Sequence, residues 1–203
     1  MRTGISACLN VWGNRHLPSL KSVDIMNSIY IYDGNFERGD KGFDLIKLSA
    51  LMFCVDKKLL YNMREARIIR DEKGKPYFEN IPIEFSLTHS QNLWMCMFSD
   101  KPCGLDLQIM KECDYMKIAE RYYCEDEVEY VREHGADGFY KIWVRKEAYA
   151  KMTGDGIFGA SFPSVLNDAD QCCFTEIEIA EGMKCALCTV LPIEGDLEIK
   201  VLG

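Results

Sequence analysis

The apolar residues of this chain change period several times, and each change marks an element. Residues 28–33, Ser-Ile-Tyr-Ile-Tyr-Asp, alternate with period two and predict a short strand. From Phe43 to Val55 the period lengthens to that of a helix. Leu45, Leu48, Met52 and Val55 share one stripe there, expected to pack on the core. Ile68-Ile69 and Tyr77-Phe78 flank Asp71-Glu72-Lys73-Gly74, the pattern of a hairpin turn. Ile83 to Leu87, Leu93 to Phe98 and Cys103 to Ile109 read as successive strands. Two helices follow, Tyr115 to Tyr122 and Asp126 to His134, and then a third with Asp137 as its N-cap. Phe174 to Ile179, Lys184 to Leu191 and Leu197 to Val201 close the chain as strands. Their turns fall at Glu181-Gly182 and Glu194-Gly195. Residues 1–25 show no period, and the Lys101-Pro102 break separates a first half, 26–102, from a second, 103–203.

Candidate chemistry concentrates in four short segments. In the third of the predicted helices, Trp143, Glu147 and Lys151 are four residues apart and share one face. A carboxylate and an ammonium one turn apart can serve a phosphate, the acid through a metal and the base directly. Most such pairs are solvated helix bridges worth a few tenths of a kcal/mol, so the spacing alone decides nothing. Gly154 and Gly156 stop that helix where the backbone needs positive φ. In the strand Cys103 to Ile109, alternation sends Gly104, Asp106 and Gln108 to one face and Cys103, Leu105 and Leu107 to the other. A carboxylate with an amide oxygen two residues on suits a hard cation, though an edge strand with one solvated face has the same pattern. Gly74-Lys75-Pro76 and Thr88-His89-Ser90 complete the set, the latter equally legible as a turn.

In this order and at these spacings the segments resemble the 4′-phosphopantetheinyl transferases, specifically the surfactin-synthetase-activating type. A fifth element, Arg121-Tyr122-Tyr123-Cys124-Glu125-Asp126-Glu127, resembles the family's Arg-aromatic-aromatic-x-x-x-Glu. The resemblance implies an α+β fold of two similar α/β halves related by a pseudo-twofold, with coenzyme and metal in the cleft between them. It implies transfer of the phosphopantetheine arm of coenzyme A to a serine of an apo acyl or peptidyl carrier protein. By the same resemblance Asp106, Gln108 and Glu147 hold Mg2+, with Mn2+ the alternative. Lys75, Thr88, His89 and Lys151 bind the coenzyme, and Glu147 and Lys151 serve catalysis. Glu127, or a metal-bound water, takes the serine proton. The competing reading is a non-catalytic module of the same fold that binds coenzyme A or a carrier protein.

Two departures stand out. The family commonly has Glu where this chain has Gln108, which removes one negative charge from the site. The family's basic N-terminal stretch shrinks here to Arg38 and Lys41, and Asp44 stands where an arginine is expected.

Composition narrows the partners. A net charge of −8 argues against nucleic acid as the main partner, so docking an acidic carrier needs a local patch. Arg64, Arg67 and Arg70, or Lys141, Arg145 and Lys146, could supply one, or be solvated surface charges. No stretch approaches the ~20 apolar residues of a membrane span. Ten cysteines scattered through strand-like and helix-like segments read as reduced core thiols of a cytoplasmic monomer. Cys185-Ala186-Leu187-Cys188 and Cys172-Cys173 are expected to be packing residues, not metal or redox sites.

Overall fold

The computed structural model describes residues 26–155, 163–169 and 172–202. Strand β1 (Asn27–Asp33) leads through a 3-10 turn into helix α1 (Phe43–Asp56). The hairpin β2 (Ile68–Arg70) and β3 (Pro76–Phe78) follows, then β4 (Glu84–Ser90) and β5 (Leu93–Ser99). The second half runs β6 (Cys103–Ile109), α2 (Tyr115–Tyr122), α3 (Glu125–Thr153), β7 (Cys173–Glu176), β8 (Met183–Thr189) and β9 (Glu198–Leu202). The result is an α+β protein.

The two larger sheets repeat one order. The first reads β4-β5-β1 and continues to β9, while the second reads β7-β8-β6. In each, a hairpin leads to the strand that opened that half, and all these pairings are antiparallel. The last strand departs from the expected division at residue 102. β9 returns to the first sheet and pairs in parallel with β1, with Ser28 opposite Glu198 and Tyr32 opposite Leu202.

Three apolar layers follow from strand alternation. Tyr30, Phe85 and Phe98 pack with Phe53 of α1 on one face of the first sheet. Its other face, with Ile29, Met95 and Met97, meets Leu105, Leu107, Cys185 and Leu187 of the second sheet. Beyond that sheet lies α3, which sets Ala148 and Met152 on Cys188. Cys185 and Cys188 therefore belong to different layers, as an odd spacing on a strand requires.

Two expectations about the helices need correction. The stripe Leu45, Leu48, Met52, Val55 does not face the core as a unit: Leu48 is 52% and Val55 69% exposed. The buried face is Ile46, Ser49, Ala50, Phe53 and Cys54. Apolar residues surround this helix, and the small Ser49 and Ala50 let its backbone approach the sheet while Phe53 stacks on Phe98. The second and third predicted helices are both present, separated within α3 by a kink at Gly135 (φ 61, ψ −144), two residues before the expected cap. Asp137 lies inside α3 as no cap; its carboxylate pairs with Lys184 at 2.5 Å.

Candidate active site

The site begins with a close approach of helix to strand. A Cβ placed on Gly104 would lie 1.8 Å from the carbonyl oxygen of Ala148, so only glycine lets α3 lie this near β6. Two residues along the same strand face comes Asp106, and one turn around Ala148 come Glu147 and Lys151. The Lys151 ammonium donates to Asp106 Oδ1 at 2.7 Å and to the carbonyl of Leu105 at 3.0 Å. The Asp106 carboxylate is nearly buried and accepts a second bond, 3.1 Å, from the Thr88 hydroxyl.

Thr88 does more than touch Asp106. Among the described residues the outer edge of β6 has no strand partner, and β4 lies along it. The Ser86 hydroxyl accepts the Leu105 amide at 2.9 Å and the Thr88 hydroxyl accepts the Leu107 amide at 3.2 Å. Two hydroxyls on one face of β4 thus satisfy buried amides of β6 and join the halves beside Asp106. Ser86 was not singled out by the sequence. Its signal is the hydroxyl at period two, Ser86 and Thr88, alternating with Phe85 and Leu87.

Glu147 has an unusual electrostatic environment. Burial, and next the Asp106 carboxylate, push its pKa up to about 7, against the opposing pull of Lys151. Two carboxylates close enough to disfavour joint ionisation are a donor pair that a divalent cation relieves. Gln108 lies on the same β6 face, half-buried, with its amide group donating to the Ile109 carbonyl at 3.4 Å. Its amide oxygen is the remaining hard donor of that face. Among the described residues no cluster of three His, Cys, Asp or Glu side chains is poised for a metal. The residues fit a cation held by two carboxylates and an amide oxygen, completed by ligand oxygens.

The pKa of Glu147 gives a test in protein free of divalent cation. Its folded value lies above the usual carboxylate range, so the folded state binds the extra proton between that range and about 7. Stability of the wild type is then expected to fall, relative to Glu147→Gln, as pH rises from about 5 to above 7. Mg2+ should flatten that difference. Urea midpoints at several pH values, with and without Mg2+, read it directly.

The Gly-Lys-Pro hairpin docks on the end of α3. Gly154 caps the helix in the left-handed conformation (φ 79), and Lys73 pairs with Asp155. Lys75 donates to the Met152 carbonyl at 3.0 Å, where a cation complements the helix C-terminus. Gly156 lies outside the described residues. Between hairpin and helix is a cavity of about 280 Å³ lined by Lys75, Ser86, Glu147 and Lys151, among others. An adjoining cavity of about 170 Å³ shares Pro76 and Leu87 with it and is lined by Arg38, Arg70 and His89. His89 is exposed beside Phe36, ring centres 5.5 Å apart. Partial withdrawal of its ring from water on the cavity side, then Arg38 and Lys151, lower its pKa. Arg70 is a cation of this cavity that the motifs did not indicate. It is held by Asp40 at 2.8 Å and by the Gly74 carbonyl.

Glu127 stands apart from this group. It is fully buried as the N3 residue of α3, with Oε2 accepting the Cys124 amide at 2.8 Å and Oε1 the Val165 amide at 2.9 Å. Lys146, equally buried, pairs with it at 2.8 Å. A carboxylate engaged on both oxygens and closed to solvent is suited to anchoring a helix start. That geometry does not favour the proton-accepting role expected of Glu127.

The arrangement is that of an α+β protein whose central helix and strand bring a carboxylate pair and two lysines to one cleft beside a basic pocket. Part of the chain is similar to a known family. Residues 102–190 match the model of the 4′-phosphopantetheinyl transferase superfamily. The chain is 30% identical to the 4′-phosphopantetheinyl transferase gsp of Aneurinibacillus migulanus, over 66% of this chain and 62% of the relative. It is 35% identical to the psf-1 transferase of Bacillus pumilus, over 48% of this chain and 45% of the relative. To the transferase Sfp of Bacillus subtilis (strain 168) it is 25% identical, over 68% and 69%. The matches thus span between about half and two thirds of these relatives' lengths.

Proposed function

We propose that this protein transfers the 4′-phosphopantetheine moiety of coenzyme A to a serine of an apo acyl or peptidyl carrier protein, releasing adenosine 3′,5′-bisphosphate. The observation that carries the reading is the convergence of Glu147, Lys151 and Lys75 on one cleft, with Asp106 bonded to Lys151 at its wall. The names of the similar proteins supply the reaction class. Mg2+, or Mn2+, would be held by Asp106, Glu147 and Gln108 and would neutralise charge on the pyrophosphate oxygens. Asp106 and Glu147 fix where that charge sits. Lys151, 2.7 Å from Asp106, is placed to contact the pyrophosphate and to give a proton to the departing phosphate. The serine oxygen forms the new P–O bond as the bond from phosphorus to the bridging oxygen breaks, its own proton passing to water. In this reading the two halves form a pseudo-twofold pair, and the basic pocket with Arg38, Arg70 and His89 takes the remote phosphate. The protein would act as a cytoplasmic monomer, without nucleic acid; no helix among the described residues is long and apolar enough to cross a membrane.

Intact-mass spectrometry of an apo carrier protein incubated with the enzyme, coenzyme A and Mg2+ tests the reading. The carrier should gain one phosphopantetheine at a serine. If a panel of fatty-acid, polyketide and peptide carriers gains none, while coenzyme A binds, the reading of a non-catalytic module of this fold replaces it.

The two lysines separate binding from turnover. Lys151→Ala is expected to lower kcat by roughly two orders of magnitude with a small change in KM for coenzyme A. Lys75→Ala is expected to raise that KM roughly tenfold while kcat at saturation changes little. Steady-state rates across coenzyme concentrations check both, and two affinity losses with unchanged kcat would remove Lys151 from the chemistry.

A further inference from the structure

Ten cysteines are present in the chain, and the nine among the described residues are free thiols. One pair differs from the rest. Cys172 and Cys188 lie with their sulfurs 3.4 Å apart, in van der Waals contact and joined by a thiol hydrogen bond. The register explains the meeting. Phe174 stands opposite Cys188, so Cys172, two residues earlier, shares the face and sits diagonally across from it. Cys173, opposite Thr189, points to the other face. Both sulfurs rest on Ala148 and Met152, the α3 residues that alternate with Glu147 and Lys151.

We infer that Cys172 and Cys188 form a reversible disulfide when the protein meets a peroxide. The sulfurs must close by about 1.4 Å to reach the ~2.05 Å bond, a movement within the reach of two side-chain torsions. The partners have distinct roles. Cys172 keeps 6% exposure whereas Cys188 has none, so Cys172 is the sulfur a small oxidant reaches. The bond from Cys188 lowers the Cys172 pKa against its burial, while that contact and then burial raise the pKa of Cys188. The Cys172 thiolate attacks one oxygen of hydrogen peroxide, forming a sulfenic acid and releasing hydroxide. The Cys188 sulfur then attacks the Cys172 sulfur; its proton leaves with the departing hydroxyl as water. Two thiols lose two electrons and two protons, and the peroxide is reduced to two waters. The bond ties the residue before β7 to the middle strand of its sheet, directly under the α3 turn that carries Glu147 and Lys151. It does not depend on the activity proposed above.

The test is peptide mapping of the native protein after titration with hydrogen peroxide, quenching and alkylation under denaturing conditions. A Cys172–Cys188 cross-linked peptide is expected, absent after dithiothreitol, together with a rise in Tm on the order of 5–10 °C for oxidised over reduced protein. In Cys188→Ala, Cys172 should be trapped by dimedone as sulfenic acid; in Cys172→Ala, Cys188 should stay reduced. Should either variant fail to fold, the mapping of the wild type still decides. Recovery of both thiols fully alkylated after oxidation, or of Cys172 linked to Cys173, overturns the inference.

Discussion

Asp106→Ala and Glu147→Gln are each expected to reduce phosphopantetheine transfer by at least about a thousandfold, ~4 kcal/mol of transition-state stabilisation. The size follows from the density of charge in the cleft. A pyrophosphate would bring several negative charges to a place where two carboxylates already compete, so in the proposed reaction the transfer would depend on a cation shared between them. Removing either carboxylate would remove one of its three protein donors and half of their negative charge. Neither change should unfold the protein. Glu147→Gln removes a carboxylate whose pKa is held near 7 by burial and next by Asp106, and is expected to leave stability equal or higher at pH 8. Asp106→Ala strands Lys151, which stays solvent-accessible through the cleft and keeps the Leu105 carbonyl. The measurement is intact mass of the carrier over time, beside circular dichroism of each variant. Gln108→Glu gives the complementary result: added charge should lower the Mg2+ concentration for half-maximal rate. Full activity in Asp106→Ala would remove the cation from the mechanism.

The parts of this site that the sequence made legible are those governed by short-range pattern. Alternation from Cys103 to Ile109 set Asp106 and Gln108 on the face of Gly104, and helical spacing set Glu147 beneath Lys151. Gly154 marked the end of the helix because its φ of 79 excludes most side chains. Long-range choices were not legible. Nothing local says that β9 crosses to the first sheet, because its alternation serves either sheet equally. The buried face of α1 depends on which of two apolar sides meets Phe98, which periodicity leaves open. Lys75 reads as a phosphate ligand by its loop, yet in this structure its ammonium also closes the end of α3 at Met152. Arg70 joins the basic pocket only because the β2–β3 hairpin folds over it.

The pair Glu127–Lys146 should give the largest loss of stability in the molecule. Both side chains are withdrawn from water, 0% and 3% exposed, and 2.8 Å apart. Charges so placed are held by each other and by the Cys124 and Val165 amides that donate to Glu127. Removing one leaves the other buried without its counter-charge, which costs about 3–5 kcal/mol. Lys146→Met is therefore expected to lower Tm by roughly 10 °C or more. Glu127→Ala should do the same, since it also frees the amides of Cys124 and Val165. The double variant Glu127→Gln/Lys146→Met should recover part of the loss, because no buried charge remains and the amide oxygen can still accept one of those bonds. Activity then separates anchoring from proton transfer. If Glu127 anchors α3, the folded fraction of Glu127→Gln, assayed well below its Tm, should turn over within about tenfold of wild type, with an unchanged pH profile. A general base would instead cost about 10²–10⁴-fold and take the acidic limb of the profile with it. Thermal melts and pH–rate profiles of the four variants decide between them, and a loss of that size in a well-folded Glu127→Gln would restore the proton-accepting role.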